Sequence, residues 1–159
     1  MKINFILPHQ IRIPMGGVKV VYKLAEHLAS KGENVTIFVP NLIKGNLKNK
    51  IKSILFYIRD FFQGVQLDSY YSNSKNVNFR YIDKITGSTF KKDEVSIFVG
   101  VHSISYASIE IDELENGNYY LFIQGIESQN YFNSKIHSFW HSKIKKIIIS
   151  KWLLEYIVK

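Results

Sequence analysis

No cysteine occurs anywhere in the 159 residues, so disulfide cross-links, thiolate zinc sites and cysteine nucleophiles are excluded. No run approaches the roughly 20 apolar residues that a membrane-crossing helix needs. The N-terminus also lacks the basic, apolar and small-residue order of a secretory signal. The expectation is therefore a cytoplasmic chain. Proline is scarce, with Pro8, Pro14 and Pro40 alone, which leaves long stretches free for regular structure. Acidic residues are also few: 13 against 21 basic ones give a net charge of +8, a surplus that favours anionic partners. Nucleic acid is not expected among them, because no helix-turn-helix spacing, aromatic RNP-type strand or zinc knuckle accompanies the charge. What is abundant is apolar: 46% hydrophobic and 14% aromatic residues suffice for one folded domain and exclude disorder as the state of the whole chain.

The hydrophobic pattern alternates between strand and helix. Residues 2–7 predict a buried strand, and an irregular stretch with Pro8 and Pro14 then runs to Gly16-Gly17. A helix follows, with Val18, Val21, Ala25, Leu28 and Ala29 on one face and Gly32 at its C-terminal stop. Further strands are predicted at 34–39, 77–82, 95–99, 119–123 and 147–149, the last running into a helix capped by Ser150 with Trp152, Leu153, Tyr156 and Ile157 as its apolar face. The expected fold is α/β: a Rossmann-like, doubly wound and mostly parallel sheet with helices on both faces, formed by residues 1–159 as a single domain. Residues 41–76 interrupt the rhythm as a variable insertion. In it Leu47, Ile51, Ile54, Leu55, Ile58, Phe61 and Phe62 trace a helical stripe beside Lys48, Lys50, Lys52 and Arg59, and a polar Asn/Ser-rich loop follows. Such a basic amphipathic helix suits an anionic membrane surface, or equally packs its stripe on the sheet with its lysines in water.

In a doubly wound sheet ligands bind beyond the carboxyl ends of the strands, and the residues expected there are polar. After the first strand come His9, Gln10, Arg12, Gly16 and Gly17; after the strand at 95–99, Gly100 and His102; after the strand at 119–123, Gln124, Gly125 and Glu127. Gly16 and Gly17 permit close backbone approach, and the first turn of the next helix, at Val18, offers unpaired N–H groups to a phosphate or diphosphate. The alternative is a pair of glycines that only turns the chain, since neither a third glycine nor a P-loop Gly-Lys-Ser/Thr is present. His102 and His9 suit a general base or a donor to a sugar hydroxyl, or else are histidines satisfied by backbone. Glu127 suits a substrate contact or an ordinary helix-capping carboxylate. His137 and His141 have metal-ligand spacing but no neighbouring carboxylate to complete a site, so no metal is expected.

The opening Met-Lys-Ile-Asn-Phe-Ile-Leu-Pro, the segment from Met15-Gly-Gly-Val to Val35-Thr-Ile37, the stretch Tyr119–Glu127 and the stretch Ile147–Tyr156 together resemble the N-terminal half of GT-B glycosyltransferases of the family 4 type. The resemblance implies one half of a GT-B fold, the acceptor-side domain of an enzyme that transfers a hexose from a nucleotide-sugar donor to a glycan or lipid-linked acceptor in cell-surface polysaccharide biosynthesis. It implies no metal or other cofactor and a location at the inner face of the membrane. Gly16, Gly17 and Val18 match the family's glycine loop, which faces the donor diphosphate. Gln124 to Glu127 match a loop that in many members carries a histidine or aspartate facing the acceptor, with Gln124 where a histidine is often found; together with the residue reading above, this makes His9, Gln124 and Gly125 the substrate-binding candidates and His102 and Glu127 the catalytic ones. Ser150 matches a serine at the start of the helix after the sixth strand. The family's donor-binding second domain and the final strand of its first domain have no counterpart in the 159 residues, so a fragment inactive alone is expected. The competing expectation is a non-catalytic Rossmann-like module that binds a partner protein or an anionic surface.

Overall fold

The computed structural model describes residues 1–8, 16–40, 76–82, 84–105, 107–125 and 139–158. The insertion expected over 41–76, with its basic amphipathic helix, lies outside these residues apart from Asn76. Six strands form one sheet: β1 (Lys2–Ile6), β2 (Asn34–Pro40), β3 (Val77–Ile82), β5 (Val95–Val99), β7 (Tyr119–Ile123) and β8 (Lys145–Ile148). Their order across the sheet is β3-β2-β1-β5-β7-β8, and each neighbouring pair is parallel. Counting these six alone, this is the order 3-2-1-4-5-6 of a Rossmann-like doubly wound sheet. Two further strands of two residues each, β4 (Ile85–Thr86) and β6 (Ala107–Ser108), pair as a separate small ladder that no sequence period announces.

Side-chain alternation divides the core into two layers. Ile3, Phe5 and Leu7, with Val35, Ile37 and Val39, pack against helix α1 (Gly16–Ser30) through Val18, Val21, Ala25 and Ala29. The intervening residues Ile6, Phe38, Phe98, Leu121 and Ile123 face the other way. There they meet α2 (Val101–Ser105), α3 (Ile111–Asn116) and α4 (Lys151–Val158) through Val101, Ile104, Leu114, Leu153 and Ile157. Strands covered on both faces read as continuous apolar runs, which is why β1 and β2 are so hydrophobic. Helix α1 ends where Gly32 adopts φ of +88°, with its N–H donating to Ala29 O at 3.0 Å and that of Glu33 to Leu28 O at 3.2 Å, a Schellman cap.

Two expectations need correction. Strand β8 starts at Lys145 rather than at residue 147, because Lys145 and Lys146 pair through backbone with Tyr120 and Leu121, a pairing that apolar patterning does not register. In α4 only Leu153 and Ile157 are buried, while Trp152 and Tyr156 remain 56% and 50% exposed. The helix follows the outermost strand, so the sheet covers only the middle of its apolar arc.

One polar intrusion crosses the core. Thr36, Asn4 and Ser96 are register partners on three adjacent strands and all are buried on the face opposite α1. Glu94, also buried, receives Lys2 Nζ–H at 2.7 Å and Asn4 Nδ2–H at 2.9 Å, so the carboxylate ties β1 to the start of β5. Burial opposes ionisation of Glu94, but the hydrogen bonds from Lys2 and Asn4 and the Lys2 charge outweigh it and hold the carboxyl below its ordinary value of 4.5. A carboxyl whose folded pKa lies below its unfolded pKa stabilises the fold above the unfolded value, and that contribution fades as pH falls through the folded one. Denaturant midpoints measured on acidification below about pH 4.5 should therefore fall more steeply for the wild-type chain than for Glu94→Gln. Equal slopes would contradict the assignment.

Candidate functional site

Because all six strands run the same way, their carboxyl ends emerge at one edge of the sheet. The connection after β1 leads through α1 to β2 on one side, and that after β5 leads through α2 and α3 to β7 on the other. Between β1 and β5 the strand order thus reverses, the switch point at which sheets of this kind form a binding crevice. The glycine pair that opens α1 follows β1, and Gly100 with His102 follows β5, so the two segments flank the switch point. Gln124 and Gly125 follow β7, one strand further along the same edge.

The glycine pair acts through space rather than backbone conformation. Neither Gly16 nor Gly17 takes a positive φ. Gly16 is exposed, and a Cβ added there would meet nothing within 4 Å. A Cβ on Gly17 would overlap the side-chain oxygen of Gln124 and come within 3.2 Å of its Cδ. Gln124 Nε2–H donates to Gly17 O at 2.9 Å, joining residues 107 positions apart in sequence. Helix α1 carries no acidic residue in its first turn, so the partial positive charge of that end has no carboxylate neighbour on its own helix. The Val18 side chain is part of the core beneath. Its backbone N–H, the group that the sequence pointed to, is the part of Val18 that can serve a ligand.

Beyond β5, Gly100 adopts φ of +76°, a conformation that costs other residues about 1–2 kcal/mol. Its N–H donates to Phe122 O at 2.8 Å, and its carbonyl accepts Ser103 Oγ–H at 2.7 Å, so the turn into α2 is held to β7 and closed on itself. His102, half-buried, is carried on that turn. The structure thus brings Gly17 and Gln124 into contact and puts His102 and Gly125 on the same edge. His9 and Glu127, like Gln10, Arg12 and His137, lie outside the described residues. Sequence reading missed the Gly17–Gln124 contact and the Gly100 turn; a glutamine directly after a buried strand was the available signal for the first.

Comparison with protein-family models, curated proteins and solved structures finds no match to this chain. The fold and site therefore define a class only: a Rossmann-like α/β domain with a polar, glycine-led carboxyl edge. Among the described residues no helix is long and apolar enough to cross a membrane.

Gly16 and Gly100 make opposite predictions. Gly16→Ala should be tolerated or stabilise by roughly 0.5–1 kcal/mol, since alanine fits the space and favours helix. Gly100→Ala should destabilise by about 1 kcal/mol or more. Chemical denaturation of both variants checks this, and a destabilised Gly16→Ala would show that the exposed position has a neighbour after all.

Proposed function

We propose that the chain is the acceptor-side domain of a GT-B type glycosyltransferase that transfers a sugar from a nucleotide-sugar donor to a glycan or lipid-linked acceptor in cell-surface polysaccharide biosynthesis. The observation that carries this reading is the topological switch point between β1 and β5, flanked by the α1 start, with no acidic residue in its own first turn, and by the His102 turn. In the proposed reaction an acceptor hydroxyl attacks the anomeric carbon of the donor sugar while the nucleoside diphosphate departs. Charge builds on the leaving diphosphate, and the N–H groups at Gly16, Gly17 and Val18 suit its stabilisation. His102 suits acceptance of the hydroxyl proton, because imidazole exchanges protons near neutral pH. The acceptor approaches from the side of Gly125, with a second, donor-binding domain supplying the remaining contacts to the nucleotide sugar. No metal or other cofactor enters this scheme. The location proposed for the enzyme is cytoplasmic, peripheral at the inner face of the membrane.

A second reading, a non-catalytic module that binds a partner protein, is favoured by a different observation. Ile147 on the outermost strand, Ile149 just after it, and Trp152, Leu154 and Tyr156 on α4 are large apolar residues left exposed near one another in sequence.

Amide chemical shifts recorded during titration with uridine and guanosine diphosphates, and with their hexose conjugates, separate the two. The transferase reading expects perturbations at Gly16–Val18 and His102, with none at Lys2 or Glu94. Perturbations confined to the Glu94 end, or none at millimolar ligand, would contradict it.

A further inference from the structure

The two ends joined by Gln124 and Gly17 belong to strands that are not neighbours: β5 separates β1 from β7 in the sheet. Gln124 is the first residue after β7, and Gly17 is the second residue of α1. Its amide donor is committed to Gly17 O at 2.9 Å, and its side chain fills the room that a glycine leaves at that position. That bond uses one of the two amide N–H groups of the side chain. We propose that Gln124 is a positioning residue: it holds the first turn of α1 to the carboxyl end of β7, so that the glycine turn and the Gln124–Gly125 segment respond to a ligand as one unit. The ligand part of this proposal rests on the transferase reading; the mechanical part does not.

The residue types fit the task. The acceptor is a backbone carbonyl, so the partner must donate; glutamine does, whereas a carboxylate at the same place would set two acceptors against each other. The contact also uses the absence of a side chain at 17, because a Cβ there would overlap the Gln124 amide oxygen and require that side chain to shift. The pair is therefore predicted to be energetically coupled although its members lie far apart in the chain.

A double-mutant cycle tests the mechanical part in the full 159-residue chain. Gly17→Ala should lower the thermal midpoint when Gln124 is present and should leave it unchanged or raised in the Gln124→Ala background, where the alanine methyl has room. Additive midpoints would overturn the proposal. The second readout uses uridine diphosphate and guanosine diphosphate as probes. In the wild type, whichever nucleotide shifts the Gly17 amide should also shift Gly125, and Gln124→Ala should abolish the Gly125 response while keeping that of Gly17. A Gly125 response that survives in Gln124→Ala would reduce the glutamine to a packing residue and overturn the positioning role. If neither nucleotide shifts any amide, the transferase reading of the site fails, and the positioning role stands or falls on the cycle alone.

Discussion

Parallel strands cannot be joined by tight turns, so every strand of this sheet must be followed by a crossover that returns the chain to the same starting edge. That requirement puts helices on both faces, which forces the strands to be apolar on both sides. It also delivers all the outgoing loops to one edge. The two core layers express the first consequence: Phe5 and Ile6, adjacent in sequence, belong to opposite layers. The polar carboxyl edge expresses the second. Where the crossovers diverge, between β1 and β5, the edge opens, and no single residue has to create the crevice.

Polar groups enter this apolar framework at two places, and the physics differs. In the body of the sheet, Asn4, Ser96 and Glu94 are buried, and the cost of the carboxylate is offset by hydrogen bonds from Lys2 and Asn4, while Asn4 Oδ1 has no hydrogen-bond partner among the described residues. These bonds tie β1 to β5 below the switch point. At the carboxyl edge, Gln124 and the Gly100 turn bond mainly to backbone. They tie α1 and α2 to β7 above it. The strands on either side of the crevice are thus held from both ends, an arrangement that keeps a binding edge in a fixed shape before any ligand arrives.

Much of the fold was legible in the sequence because its strands are long enough to show a period or an apolar run. Strands β4 and β6 were not, since two residues carry no period, and the start of β8 was hidden because Lys145 and Lys146 join the sheet through backbone alone. The outcome at α4 has a similar origin. Trp152 and Tyr156 are apolar at helical spacing, but whether that spacing becomes burial depends on how far the sheet extends beneath the helix. At the site, the glycine pair was visible and its reason was not. Composition suggests turn geometry, whereas the space beside Gly17 is filled by a side chain 107 residues away, and no local pattern encodes that. The positive φ of Gly100 is likewise a property of the turn it closes, not of the residues beside it.

A chain without cysteine allows a single probe to report on this edge unambiguously. Gly125 takes no positive φ, and a Cβ there would meet nothing within 4 Å, so Gly125→Cys carrying a nitroxide label should fold normally. Paramagnetic broadening should then fall on the amides of Gly16–Val18 and Val101–Ser103, leaving those of Lys2 and Glu94 sharp. Broadening at Lys2 and Glu94 with Gly16–Val18 unaffected would mean that the segments do not share an edge, and the site described here would not exist.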